Sequence, residues 1–326
     1  ATAALAGPSG YHADRSITVG GDGFWDYITA DTTTRRLFVT HGTHVQVVDA
    51  ATDSVVGDIP DTPGVHGVAL AYDAGRGFTS NGRDSSVSVF DLKTLAVTGR
   101  IPVGSRNPDA ILYDKATGRV FTFNGGGRNT TAIDARSQKV VGTLALGGKP
   151  EAGVTDGAGR IYVNNEDSST VVEFDSKKLK QLHVWSLAPG EGPSGLAFDV
   201  AHHRLFSGCD NQKLIVLDSQ TGKRIADLPI GEGVDGVAFD PKQQLVFSSN
   251  GEGTLTVIHE DDPDHFSVVE NVPTQKSGRT IALDPRDGTV YIPAAELGPP
   301  PAPTADRPHP RPSIVPGSFR VVVVHK

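Results

Sequence analysis

The chain of 326 residues contains one cysteine, Cys209, and no methionine. A single thiol excludes an intramolecular disulfide but leaves the compartment open, because not every secreted chain carries disulfides. No apolar run approaches the roughly 18–20 residues of a membrane-spanning helix, so no span is expected. Lysine and arginine total 30 against 38 acids, a net charge of −8, and the cations nowhere form a block. Phosphate recognition relies on clustered cations, so no nucleic-acid partner is expected. Aromatic residues are only 6%, whereas glycine reaches 38 and proline 22. That balance suits sheets joined by many tight turns, since Gly supplies positive φ and Pro presets turn geometry.

The chain is organised by a repeat. An aromatic residue opens a tetrapeptide at Phe38, Phe78, Phe121, Tyr162, Phe206, Phe247 and Tyr291, in steps of 40, 43, 41, 44, 41 and 44 residues. The clearest copy, 234–250 (VDGVAFDPKQQLVFSSN), reads as a short strand, an Asp-Pro turn and a second strand ending in Asn. Seven copies of about 42 residues fill the chain and leave no room for a second domain. Four short strands per copy make the expected fold an all-β, seven-bladed β-propeller of four-stranded antiparallel blades, one domain over residues 1–326.

Residues 1–14 read as a loose leader, and 15–19 (RSITV) as a lone strand matching the last strand of later copies, such as 99–103 (GRIPV). The C-terminal stretch 319–325 (FRVVVVH) matches a third strand instead. A spare fourth strand at one end and a missing one at the other predict closure of the ring by pairing them, which removes an exposed sheet edge. Blade 1 then spans about 25–63, and the next five follow to about 277. Asp49, Asp91, Asp134, Asp175 and Asp218 end third strands, and Asp31, Asp114, Asp156, Asp199, Asp240 and Asp284 end first strands. Both columns repeat too regularly to be catalytic and read as turn formers. Residues 295–318 form a proline-rich insertion in blade 7, expected to be irregular or polyproline-like and to act as a lid or a tether. The start, ATAALAG without an initiator Met, is what a processed exported protein shows, so a periplasmic or secreted location is expected.

The tetrapeptides FVTH, FTSN, FTFN, YVNN, FSGC, FSSN and YIPA resemble the Tyr-Val-Thr-Asn repeat of the YVTN family of β-propellers, which includes the exported YncE-like proteins. The likeness extends over nearly the whole chain; it departs at His41, Cys209 and Ala294 in the Asn column and at the blade 7 insertion. The family spans binding proteins, surface-layer components and exported proteins, so the resemblance implies a fold and not an activity.

In a propeller the loops before first strands and after second strands share one face, at the mouth of the central channel. Two columns converge there. The first is Asp26, His66, Asp109, Glu151, Ser194, Asp235 and Arg279; the second is His41, Asn81, Asn124, Asn165, Cys209, Asn250 and Ala294. The first column varies in residue type while staying polar, and six of its seven members ionise. Crowding acids around one axis costs free energy unless cations, protons or water relieve it, a cost that functional sites accept. A hydrated channel mouth is the plain alternative.

Three chemistries fit these residues. Asp26, Asp109, Glu151, Asp235 and the Asn column suit Ca²⁺, a donor set similar to the channel calcium site of six-bladed gluconolactonase-like enzymes. Adding His41, His44 and His66 favours a transition metal. Without metal, His66 or Glu151 moves a proton, with Asp109 among the acids beside them, while Arg279 or Arg106 grips a substrate carboxylate. Seven-bladed lactonases and lactonising enzymes use a broadly similar His, Glu and Arg set. Trp25 stands where other blades carry Pro, Val or Gly and is a candidate stacking platform, whereas Tyr27 reads as core. The glycine patterns at Gly190 to Gly195 and Gly231 to Gly236 open no helix, so no nucleotide cofactor is expected. Cys209 reads as a small apolar residue, and His202-His203 as a solvated turn on the opposite face.

The expected function is a binding module that holds a small ligand, metal ion or partner protein at the acidic mouth. The alternative is a lactonase-like hydrolase or lyase at the same place.

Overall fold

The computed structural model describes residues 8–21, 23–303 and 312–326. Seven four-stranded antiparallel sheets form a ring, a seven-bladed β-propeller. Blade 3 shows the pattern: Pro108–Asp114 lines the channel, Arg119–Asn124 and Asn129–Asp134 lie in the middle, and Lys139–Ala145 faces outward. Burial follows that order, because the middle strands are covered on both faces by neighbouring blades while the fourth strand meets water. No helix among the described residues is long and apolar enough to cross a membrane.

The aromatic column forms the inter-blade core. Phe38, Phe78, Phe121, Phe206 and Phe247 are at most 1% exposed, and Tyr162 and Tyr291 are buried with them. Each buried ring contributes about 2–3 kcal/mol relative to an exposed one. Glycine is required where first strands of adjacent blades converge on the axis: a Cβ on Gly195 would lie 2.6 Å from the Val237 amide nitrogen. The aspartate columns are turn formers as expected. Asp218 accepts hydrogen bonds from the amides of Gln220 and Thr221 (3.0 and 2.8 Å), and Asp31 accepts one from the Thr33 amide (2.7 Å).

Blade 7 is assembled from both ends of the chain, with Ala282–Asp284, Thr289–Ala294, Arg320–His325 and then His12–Thr18 as its outer strand. Closure occurs by the expected pairing, with Ser16 opposite Val322 and Thr18 opposite Arg320. The strand begins at His12 rather than Arg15, through a bulge between those residues. The end of the expected leader is therefore docked. Tyr11 is buried, donates to the Gly288 carbonyl (3.0 Å) and meets Phe247 edge-on at 5.1 Å. The insertion springs from the mouth side, where second strands end. Its arms are tied by an antiparallel bridge between Leu297 and Ile314, with the Gly298 amide donating to Ser313 and the Val315 amide to Glu296. The arms are thus paired backbone, and the tip at 304–311 lies outside the described residues.

Candidate functional site

A cavity of about 780 Å³ opens at the mouth of the channel, lined by loops that precede first strands and follow second strands. The first-column side chains reach it for a local reason. In blades 2 to 6 the pairing of the first strand shifts register at its start, as between Val65 and Val68, Pro108 and Ile111, and Pro150 and Gly153. A bulge releases one residue from the ladder and re-aims its side chain. His66, Asp109, Glu151, Ser194 and Asp235 all occupy the released segment and line the cavity, which Asp26 and Arg279 line as well.

The acids are paired rather than merely crowded. His66 Nδ1 lies 2.6 Å from Asp26 Oδ2 and 3.4 Å from Asp109 Oδ1. Burial works against a charge on His66, but the Asp26 hydrogen bond and the fields of Asp109, Asp26 and Glu151 outweigh it and raise its pKa to about 9. Burial pushes the Asp109 carboxyl up to about 6 against the pull of His66. Lys149 Nζ sits 2.7 Å from Glu151 Oε1 and also contacts Glu166. Burial and then Asp109 push Glu151 up to about 9, so at neutral pH it holds a proton. Burial lifts Asp235 to about 7 even though Arg279 Nε stands 3.2 Å away. The Asp26, His66 and Asp109 donor atoms lie within 4.8 Å of one another, a spacing at which a divalent metal could replace the His66 proton.

The Asn column does not face the mouth. Asn81, Asn124, Asn165 and Asn250 are buried, and their amides stitch strands together. Asn81 donates to Ser86 and Ser88 (3.1 and 2.9 Å) and accepts from Thr79 (2.9 Å); Asn124 and Asn250 repeat the pattern. Asn165 donates to the Leu146 carbonyl (2.9 Å). Side chains alternate along a strand, so the terminal Asn points into the blade and the next residue reaches the mouth. His41 is likewise buried, with Nδ1 3.0 Å from Gln46 Oε1 and Nε2 3.2 Å from the Gly23 carbonyl, and its ring lies against Phe319. His44 faces Asp58 at 3.7 Å, away from the cavity. Arg106 stands outside the lining and donates to the Gly126 carbonyl (3.0 Å). Trp25 lines the cavity, but its ring stacks on Phe319 at 5.1 Å and its indole nitrogen is buried.

Several lining residues were not foreseen from the sequence. Glu166 and Asp210 follow the tetrapeptide, a position held by Gly42, Gly82, Gly125 and Gly251 in four other blades. Charged residues in a column otherwise held by glycine and, in blade 7, by Ala295 were the available signal. Phe24 is the exposed aromatic at the rim, 46% accessible. Tyr27 belongs to blade 1, yet its ring packs against the apolar cluster of blades 3 and 4, so it crosses the channel beneath the mouth. Burial, followed by the fields of Asp109, Glu151, Asp235 and Asp26, holds its hydroxyl protonated. Nothing in sequence spacing reports that crossing. As expected, Cys209 is fully buried, its thiol raised to about 12 by burial.

No family model and no curated protein matches the chain. Its likeness to the YVTN repeat therefore rests on the sequence repeat itself. Among solved structures it is similar to a chain in the crystal structure of a mitotic checkpoint complex, with a TM-score of 0.78 and 12% identity over 97% of this chain and 92% of that one. It is also similar to a chain of Kuenenia stuttgartiensis hydrazine synthase, with a TM-score of 0.75 and 17% identity over 83% and 93% of the two. At such identities the likeness extends to the fold and no further.

Proposed function

We propose that the protein is a binding module whose channel mouth takes a small molecule carrying a carboxylate together with hydroxyl or amino groups. The observation that carries this reading is the layering of charge. The side chains of Arg279 and Lys149 are 45% and 41% exposed, whereas their partners Asp235 and Glu151 are 19% and 12% exposed. Cationic heads thus stand over buried acids, ready to meet an anion, while Glu166 and Asp210 beside them suit hydroxyl or ammonium groups. A volume of about 780 Å³ falls within the usual range for small-molecule sites. Calorimetric titration with hydroxy acids and amino acids tests it. At least one should bind with a micromolar Kd, weakened about tenfold or more in Arg279→Ala, as loss of a charge-assisted bond requires. Binding by none of them, or binding indifferent to Arg279→Ala, would sink the proposal.

The proton held on Glu151 favours a second reading, a lactonase-like hydrolase or lyase at the same mouth. A carboxylic acid that keeps its proton at neutral pH suits general-acid work, and Arg279 would orient a substrate carboxylate. Turnover of a lactone panel that disappears in Glu151→Gln while ligand binding persists would support catalysis. A wild-type protein that binds but turns nothing over leaves the binding module.

A further inference from the structure

On the face opposite the mouth, two buried carboxylates from adjacent blades meet one histidine. Asp199 ends the first strand of blade 5 (Pro193–Asp199), and His202 lies in the turn that follows. Glu260 comes from the third strand of blade 6, which runs Thr254–Asp262, nine residues against six in blade 5 (Lys213–Asp218). His202 Nδ1 lies 2.6 Å from Asp199 Oδ2 and 3.1 Å from Glu260 Oε1. The two carboxylate side chains are 2% and 0% exposed, and that of His202 is 38% exposed.

The site is short of hydrogen bonds. Asp199 Oδ1 accepts the Ala201 amide (3.0 Å), leaving Oδ2 to the centre of the cluster. Glu260 Oε2 is buried and has no hydrogen-bond partner among the described residues. Arg204, the cation nearest in sequence, is committed elsewhere. Its guanidinium bonds Asp218 and Asp264 (2.8 and 3.0 Å) and the Pro263 carbonyl, rather than Asp199 or Glu260. Two carboxylates buried against a single imidazole carry a desolvation cost when ionised. A divalent cation would balance it: two carboxylate charges cancel two positive charges, and the imidazole ligates through Nδ1 with its proton on Nε2. The three donor atoms already lie within 4.8 Å of one another.

We propose that Asp199, His202 and Glu260 form a metal site for a divalent first-row ion, zinc as the type case, that staples blade 5 to blade 6. One nitrogen and two oxygen donors suit that class of ion, and the exposed side of His202 leaves room for water as a fourth ligand. The sequence expectation of a merely solvated His202 gives way here, because the ring is turned onto two carboxylates. The site is independent of the mouth and its function.

Chelator-stripped protein titrated with zinc chloride, followed by melting and calorimetry, tests the assignment. At a hundredfold excess over the Kd, the melting temperature should rise by about 4 °C for a chain of this length. His202→Ala takes the imidazole away from the two buried carboxylates and should lower the metal-free melting temperature while abolishing the zinc-dependent rise. Glu260→Gln removes a buried charge and should raise the metal-free value and also abolish the rise. No zinc-dependent rise in the native chain would overturn the proposal. So would a rise that survives His202→Ala and Glu260→Gln, or one that vanishes in His66→Ala or His325→Ala, which would place the ion at the mouth or at the strand closure.

Discussion

Glu151→Gln should make the protein more stable, and by an amount that depends on pH. Glu151 is buried at the mouth and its pKa rises from an ordinary 4.5 to about 9 on folding. A carboxyl raised in this way favours the folded state fully below pH 4.5 and loses that contribution as pH climbs to 9. At pH 7 the unfolded chain ionises Glu151 while the folded chain keeps it protonated. The mismatch of 7 − 4.5 = 2.5 pH units corresponds to about 3 kcal/mol. Gln imitates the protonated acid in both states and avoids the mismatch, and Lys149 keeps its contact with Glu166. The expected gain is about 1–3 kcal/mol at pH 7, the lower figure allowing for water at the open mouth. It should be near zero at pH 4 and larger at pH 8. Urea midpoints at the three pH values, with m held in common, measure it. A variant destabilised equally at every pH, or stabilised most at pH 4, would refute the account of Glu151 as a strained, protonated acid. A gain without loss of ligand affinity would show that the strain is not required for binding.

Two further outcomes follow from the packing and the charges. Phe247→Ala removes a ring that is fully buried and in edge contact with Tyr11, and should cost about 3–5 kcal/mol in urea unfolding; a cost under about 1 kcal/mol would mean that the aromatic column is not the core. Asp26→Asn removes the 2.6 Å partner of His66, so the imidazole pKa should fall by about one unit or more from its value near 9, as read by proton NMR of the ring. Because a raised His stabilises below pH 6.5 and loses that effect as pH rises through 9, the variant should also lose less stability across that window than the native chain does. A His66 titration unchanged by the substitution would show that Asp26 does not hold the charge.

The number of blades, the closure of the ring and the aspartate turns were legible in the amino-acid order. Each depends on periodicity: an aromatic every 42 residues or so must occupy equivalent places, and a spare strand at one end must pair with the gap at the other. The first column was legible as a set for the same reason, since seven equivalent positions share one face. What tertiary structure decided was direction and partnership. The bulge at the start of five first strands turns Asp109, Glu151 and their counterparts toward the axis, while alternation along the second strands turns Asn81, Asn124, Asn165 and Asn250 into the blades. Partnership depends on distances between blades. His66 takes its charge from Asp26, 40 residues away, and from Asp109 in the next blade, and Tyr27 crosses the channel to lie among acids of three other blades. Asp199 and Glu260, some 60 positions apart, are two ordinary turn and strand acids until the ring brings their carboxylates onto one imidazole. Local sequence sets which residue occupies a repeat position; through-space electrostatics, which depends on separation and burial, sets what that residue does there.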